Sequence, residues 1–300
     1  MAAASPPPLP PYSLRADKLK LLSTCDTALA TSPQPVVLAI CGSLNPIHNA
    51  HVKLYEAAKA ALTSDQQSYA VLGGFFSPVG DAYGKPGLRS AAQRVAIIAD
   101  AVRDHPDLNV DTWECTQATY TRTFYVLQQL EQHVNAWYTQ SEPQAMQQLH
   151  AQGRRVRVVF VCGADLFSSF WRPGCWPLHL LKRLLDTFLM VVVYRDVEGE
   201  VKSAEDFERV CQTSPALAET AADGRMTELD MRAYHFNFAQ FDSPDDTSST
   251  AVREVAVALT EAEEKSGSTT ERERLQQQLA SMVPASAVAT IVEYYGNGGG

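Results

Sequence analysis

The sequence predicts an α/β protein built on a doubly wound parallel sheet, and three observations predict it. Apolar runs of strand length alternate with helical stretches along most of the chain. The first run, Val36-Val37-Leu38-Ala39-Ile40, is unbroken and ends at Gly42, which suits a strand buried on both faces. A polar connector from Thr139 to Arg154 separates the strands into two groups, and two half-sheets imply a crevice beyond the strand C-termini where the strand order reverses.

The elements follow in order. Met1 to Pro11 has little to bury and is expected to be a flexible tail; Tyr12 to Ala30 is predicted as a helix carrying Leu14, Leu19, Leu21, Leu22 and Leu29. Thr31 to Pro35 turns the chain into the first strand, and the Ala-rich Lys53 to Leu62 stretch after it is helical. Tyr69 to Phe76 is the second strand, with Ser77 to Asp81 as the loop at its end. Leu88 to Asp104 is a helix with Leu88, Ala91, Val95, Ile98 and Val102 on one stripe, stopped by His105-Pro106-Asp107. Leu108 to Trp113 is the third strand. Thr121 or Thr123 can cap the next helix, whose Phe124, Leu127, Leu130, Val134 and Trp137 keep a helical period.

The connector at 139–154 has no firm period and is read as an insertion. Arg155 to Cys162 restarts the sheet, a short helix runs from Gly163 toward Trp171, and Phe188 to Tyr194 is the fifth strand. A helix over Ala204 to Gln212 and a sixth strand over Arg232 to Phe238 come next. Asp242 to Asp246 is turn-forming, and Thr247 or Ser248 can cap a helix bearing Thr250 and Arg253 on its first turn. The charged stretch at 260–276 gains nothing from burial and is read as a second insertion before a last helix, Ala285 to Tyr295. Residues 12–295 thus read as one domain, with 296–300 a disordered end.

A net charge of −9 argues against bulk binding to nucleic acid or to an acidic membrane surface, so positive potential for an anion must be local. The six cysteines form no C-x-x-C pair and read as reduced thiols of a cytosolic or nuclear protein. No stretch approaches a membrane span, and the start of the chain lacks the apolar core of a signal peptide. The expected location is the cytoplasm, with the nucleus open, and self-association into a homo-oligomer is left open.

The chemistry concentrates in Gly42 to His51. A strand, a tight turn and a helix aim backbone N–H groups and the positive end of the helix dipole at the space above the strand, which suits phosphate. His48 and His51, three apart at the helix start, fall on one side of it. A zinc fragment is the competing reading, but helical ligand pairs are usually four apart and no third ligand follows at zinc spacing.

Gly42-Ser43-Leu44-Asn45-Pro46-Ile47-His48-Asn49-Ala50-His51 resembles the G-[ST]-F-[ND]-P-x-[HT]-x-x-H signature of the nucleotidyltransferase superfamily. More narrowly, the chain resembles the nicotinamide/nicotinic acid mononucleotide adenylyltransferases of the eukaryotic type. Ser77-Pro78-Val79-Gly80-Asp81-Ala82-Tyr83, Val110-Asp111-Thr112-Trp113-Glu114, Cys162-Gly163-Ala164-Asp165-Leu166 and Ser248-Ser249-Thr250-Ala251-Val252-Arg253 are similar to that family's other blocks, in order. The resemblance implies a Rossmann-like nucleotidyltransferase fold and transfer of AMP from ATP to nicotinamide or nicotinic acid mononucleotide, with Mg²⁺ carried on the phosphates and no dedicated protein ligands for it.

By the same resemblance His48, His51 and Arg253 are catalytic, and Gly42, Ser43, Leu44, Lys85, Ser249 and Thr250 join His51 and Arg253 around the ATP phosphates. Tyr83, Trp113, Thr116, Gly163, Asp165, Cys175 and Trp176 line the nucleotide and nicotinamide side, with Trp113 and Trp176 as an aromatic pair around the pyridine ring. Plainer roles stand beside these: a Ser-Ser-Thr run caps a helix, a tryptophan after a strand is core, a carboxylate there is a cap, and Trp171 rivals Trp176. Leu44 stands in place of the family's aromatic or Thr. Ala50 stands in place of a bacterial Gly, so the backbone at Ala50 is expected to be helical. Phe241 and Asp245 occupy positions where relatives present Asn and Glu. Other superfamily transferases and a non-catalytic dinucleotide sensor or chaperone are the alternatives. Paired tryptophans disfavour the first, and the intact His48, His51 and Arg253 set disfavours the second.

Overall fold

The computed structural model describes residues 8–25, 33–64, 68–194, 201, 203–213, 216–220, 224–241, 247–264 and 269–296. Its strands are β1 (Gln34–Gly42), β2 (Tyr69–Pro78), β3 (Leu108–Val110), β4 (Arg157–Gly163), β5 (Leu189–Tyr194), β6 (Ala216–Thr220), β7 (Met226–Asp230) and β8 (Asn237–Gln240). Six of them make one parallel sheet in the order β3-β2-β1-β4-β5-β8, and β6 with β7 forms a separate antiparallel hairpin. The chain therefore winds outward in both directions from β1, and the order reverses between β1 and β4. The predicted doubly wound α/β sheet is the fold.

Burial on both faces follows from the unbroken apolar strands. Val37 and Ala39 pack with α3 (Thr123–Ser141), α4 (Pro143–Ala151), α6 (Leu178–Thr187) and α7 (Ala204–Thr213). Val36, Leu38 and Ile40 pack on the opposite face with α1 (Asn49–Thr63), α2 (Ala91–Ala101), α8 (Ser249–Glu264), α9 (Thr269–Met282) and α10 (Val288–Tyr295). The period-two alternation of side chains along β1 is what divides the core into two layers. The remaining helix, α5 (Ala164–Ser168), is a short one that follows β4 directly.

Several elements differ from the sequence reading. Between Tyr12 and Cys25 the chain is not a helix beyond a 3-10 turn at Leu22–Thr24, because its backbone groups are partnered elsewhere. Lys20 N–H donates to the carbonyl of Leu72 at 2.8 Å, its own carbonyl accepts from the Tyr138 hydroxyl, and Leu22 N–H donates to Glu142. Ala16, Leu19 and Leu22 are still buried. The polar stretch 139–154 is helical: α3 runs to Ser141, Pro143 opens α4 at a first-turn position where its missing N–H costs nothing, and Met146 and Leu149 face the core.

Likewise the charged stretch 260–276 belongs largely to α8 and α9, and it does gain burial, through Leu275 and, just beyond it, Leu279. The third strand stops at Val110. There Asp111 turns inward, accepting from Ser77 Oγ at 2.9 Å and from Trp113 N–H at 3.3 Å, and a 3-10 turn over Glu114–Thr116 follows. Arg232 lies in a 3-10 turn over Met231–Ala233 capped by Asp230, so the sixth strand of the sheet begins only at Asn237. The β6–β7 hairpin has mostly exposed strands and left no apolar pattern to read. Met1–Pro7 of the tail, Asp26–Ala30 of the predicted helix, Asp242–Asp246 and Asn297–Gly300 lie outside the described residues.

Candidate functional site

β1 ends at Gly42, and the turn after it enters α1 at Asn49. Ala50 is helical. Leu44 holds a left-handed backbone, φ 45°, while its side chain is buried in the second core layer. An L-residue adopts that conformation at a cost of order 1–3 kcal/mol, which here the burial of the Leu44 side chain offsets. His48, extended at φ −145° and ψ 174°, is the residue before the helix, and its N–H donates to Nδ1 of His51 at 3.2 Å. Because Nδ1 is the acceptor, the neutral His51 ring carries its proton on Nε2. The two rings lie 3.9 Å apart, tilted by 48°.

Arg94 fixes this turn to the one after β2. It is fully buried, and its guanidinium donates to the carbonyls of Arg89 (2.8 Å), Ser43 (3.1 Å) and Val79 (2.5 Å) and reaches Asp81 at 3.5 Å. A third segment joins through α8, where Ser249 Oγ donates to the Pro46 carbonyl at 2.8 Å and Arg253 donates to the Asn45 carbonyl at 2.6 Å.

A cleft of about 540 Å³ lies at the C-terminal edge of the sheet, at the switch point. Gly42, Ser43, Leu44 and His51 line it from the β1 side, Tyr83 and Lys85 from the β2 loop, and Asp165, Cys175 and Trp176 from beyond β4. A second chamber of about 200 Å³ shares His51 and Asp165 and adds His48, Gly163, Phe241 and Ser249. A Cβ on Gly163 would sit 2.6 Å from Asp165 Oδ1, so glycine there is what admits the carboxylate. Trp176 is held by a hydrogen bond from Nε1 to Ser169 Oγ at 2.9 Å, whereas Trp171 packs edge-on against Phe167 and lines neither chamber.

Four residues expected in the site line neither chamber. Trp113 is tied by its N–H to Asp111 and by its carbonyl to Thr116 and Gln117, which holds both Trp113 and Thr116 in the 3-10 turn. Arg253 spends its fork on Asn45 and, at 3.0 Å, on Thr250 Oγ1, and lines instead a separate 440 Å³ hollow with Arg89 and Tyr295. Sequence reading gave no place in the site to Glu114 or to the run Tyr120-Thr121-Arg122-Thr123, all on the cleft wall. The alternation of threonines with an aromatic and a cation in that run was the available signal.

The electrostatics are mixed. Burial pushes Glu114 up to about 7, with Asp111 adding to it and the Gly80 N–H and Arg94 opposing. Burial also raises Asp111, Cys41 and, to about 12, Cys115, so neither of these thiols is a thiolate nucleophile at neutral pH. Lys85 and Arg122 are the lysine and arginine on the cleft wall. Among the described residues no three His, Cys, Asp or Glu cluster as a metal site, and no helix is long and apolar enough to cross a membrane.

Residues 39–255 match the cytidylyltransferase-like family. A nicotinamide/nicotinic acid mononucleotide adenylyltransferase of Oryza sativa subsp. japonica is 34% identical over 172 residues, 56% of this chain and 64% of its own. One from Bos taurus is 33% identical over 184 residues, 53% of this chain and 65% of its own. One from Arabidopsis thaliana is 33% identical over 179 residues, 59% of this chain and 70% of its own. The match thus spans just under two thirds of the length of the rice and cattle proteins. A solved structure, Plasmodium falciparum nicotinic acid mononucleotide adenylyltransferase complexed with NaAD, superposes with a TM-score of 0.51 at 10% identity, covering 87% of this chain and 96% of that one, and speaks for the fold alone. The chain belongs to the cytidylyltransferase-like family and, within it, to the nicotinamide/nicotinic acid mononucleotide adenylyltransferases.

Proposed function

We propose that the protein transfers the AMP group of ATP to nicotinamide or nicotinic acid mononucleotide, giving NAD or its deamido form and pyrophosphate. The observation that carries this reading is a single cleft with His51 and the β1 turn on its wall together with the rings of Tyr120 and Trp176. Tyr120 follows β3 and Trp176 follows β4, so the two rings come from the two halves of the sheet. A flat pyridine face stacks on such rings, and Tyr120 takes the part first expected of Trp113.

In the reaction an oxygen of the mononucleotide phosphate forms a bond to the α-phosphorus of ATP as the bond from that phosphorus to the bridging oxygen breaks, and pyrophosphate leaves with the electron pair. No protein nucleophile is needed; alignment and charge neutralisation suffice. His51 donates from Nε2 to phosphate oxygens, the backbone N–H groups after Gly42 face the same charge, and Lys85 adds a cation. Asp165 accepts from ribose hydroxyls. Arg253 and Thr250 act at the triphosphate once the guanidinium exchanges the Asn45 carbonyl for phosphate oxygens. His51 and Lys85 would face phosphates on which a Mg²⁺ carried by ATP would supply further charge neutralisation, a role that would need no protein cage. The test is dinucleotide formation from ATP and each mononucleotide with Mg²⁺; pantetheine phosphate or an alcohol phosphate serving better as acceptor overturns the reading.

A further inference from the structure

The run after the Glu114–Thr116 turn brings one more charged group to the aromatic part of the cleft. Arg122 is the residue immediately before α3, so its backbone is set by the helix start, and its side chain is exposed. Its guanidinium carbon lies 5.0 Å from the centre of the Tyr120 ring, and that ring is 5.3 Å from Tyr83. No carboxylate among the described residues forms an ion pair with Arg122, although arginines elsewhere on the surface pair with Asp or Glu. Arg122 also hydrogen-bonds the Tyr120 hydroxyl, and a guanidinium with five N–H donors that is engaged there keeps the others for a ligand that stacks beside the ring.

Resting on the adenylyl-transfer reading, we propose that Arg122 selects the acid form of the acceptor: its fork pairs with the ring carboxylate of nicotinic acid mononucleotide, a charge that the neutral amide lacks. A planar guanidinium meets a planar carboxylate through two parallel hydrogen bonds, and a carboxamide offers one neutral oxygen to the same fork. The acidic neighbours do not defeat this. Glu114 shares the cleft, but burial pushes its carboxyl up to about 7, so at neutral pH it carries only part of its charge, and Asp165 enters from beyond β4 on the other half of the sheet. Lys85, the cleft's lysine, enters from the loop after β2 and is given to the phosphates common to both acceptors.

The experiment compares kcat and KM for both mononucleotides in the wild type, Arg122→Gln, Arg122→Glu and Lys85→Gln, with melting temperatures to show that each variant folds. In the wild type kcat/KM favours the acid. Arg122→Gln lowers the acid-to-amide ratio by about tenfold or more, through KM, and Arg122→Glu inverts it. Lys85→Gln lowers both and leaves the ratio in place. Titration of each mononucleotide without ATP gives the same ordering in Kd. A ratio unmoved in Arg122→Gln, or a wild type that favours the amide, overturns the assignment while leaving adenylyl transfer standing. A wild type that binds and adenylylates neither mononucleotide overturns both.

Discussion

Arg253 and Asn45 are 208 positions apart in the chain, yet Nη1 of the one donates to the main-chain carbonyl of the other at 2.6 Å. Asn45 is bound on its side chain too: Nδ2 donates to the Gly87 carbonyl at 2.9 Å, and Oδ1 accepts from the Arg89 N–H at 3.1 Å and from the Tyr295 hydroxyl. The turn after β1, the loop after β2, α8 and α10 therefore converge on one asparagine.

Arg253→Lys is expected to lose both parts of this junction. An ammonium cannot bridge the Asn45 carbonyl and Thr250 Oγ1 with the same geometry, so stability falls by about 1–3 kcal/mol and kcat/KM for ATP by tenfold or more. Denaturant unfolding and steady-state kinetics check the two effects, and unchanged values in both remove Arg253 from the site.

His51→Ala is expected to lower kcat by about a hundredfold or more, as loss of one transition-state donor does. The helix start also loses the acceptor for the His48 N–H, which costs about 1 kcal/mol. Turnover close to wild type in a folded variant rules out Nε2 as a donor.

Tyr120→Ala and Trp176→Ala are expected to raise KM for the mononucleotide more than for ATP, since a stacking contact of about 0.5–1.5 kcal/mol acts on the pyridine alone. Trp113→Ala is the contrast: its ring is not among those lining the cleft, and its loss is expected to lower the melting temperature without selecting between substrates. A selective mononucleotide defect in Trp113→Ala, and none in Tyr120→Ala, would restore the assignment first drawn from sequence.

Glu114→Gln is expected to change the pH dependence of stability. The folded carboxyl titrates near 7 against an ordinary value of 4.5, so the folded protein holds the proton more tightly than the unfolded chain. Folding then takes up protons between those values: this group's penalty is absent below 4.5, grows as pH rises and levels off above about 7. The glutamine variant escapes it, and should be more stable than wild type at pH 8 by about 1–3 kcal/mol, with little difference at pH 4.5. Parallel melting curves across that range test this; a constant gap counts against a buried, protonatable Glu114.

The sheet was legible because its strands are unbroken apolar runs and its first turn carries Gly42 and two histidines. Helices α4 and α9 were not, since each buries only two side chains, Met146 with Leu149 and Leu275 with Leu279, beneath otherwise polar sequence. The aromatic wall was harder to read for a different reason. Trp113 and Tyr120 both follow β3, and of the two it is Tyr120 that lines the cleft, while Asp111 accepts from Ser77 and from the Trp113 N–H, a tertiary contact with no local pattern. Arg94 was hidden in the same way: within an amphipathic helix it reads as a surface charge, and only the carbonyls of Ser43 and Val79 explain its burial.

Leu44 settles when the turn is organised. Its left-handed backbone is secured by a side chain sealed in the core, so the conformation is chosen as the protein folds and is not left for an anion to induce. A phosphate then meets a turn whose backbone is already set, and the rearrangement left to binding is that of side chains such as Arg253.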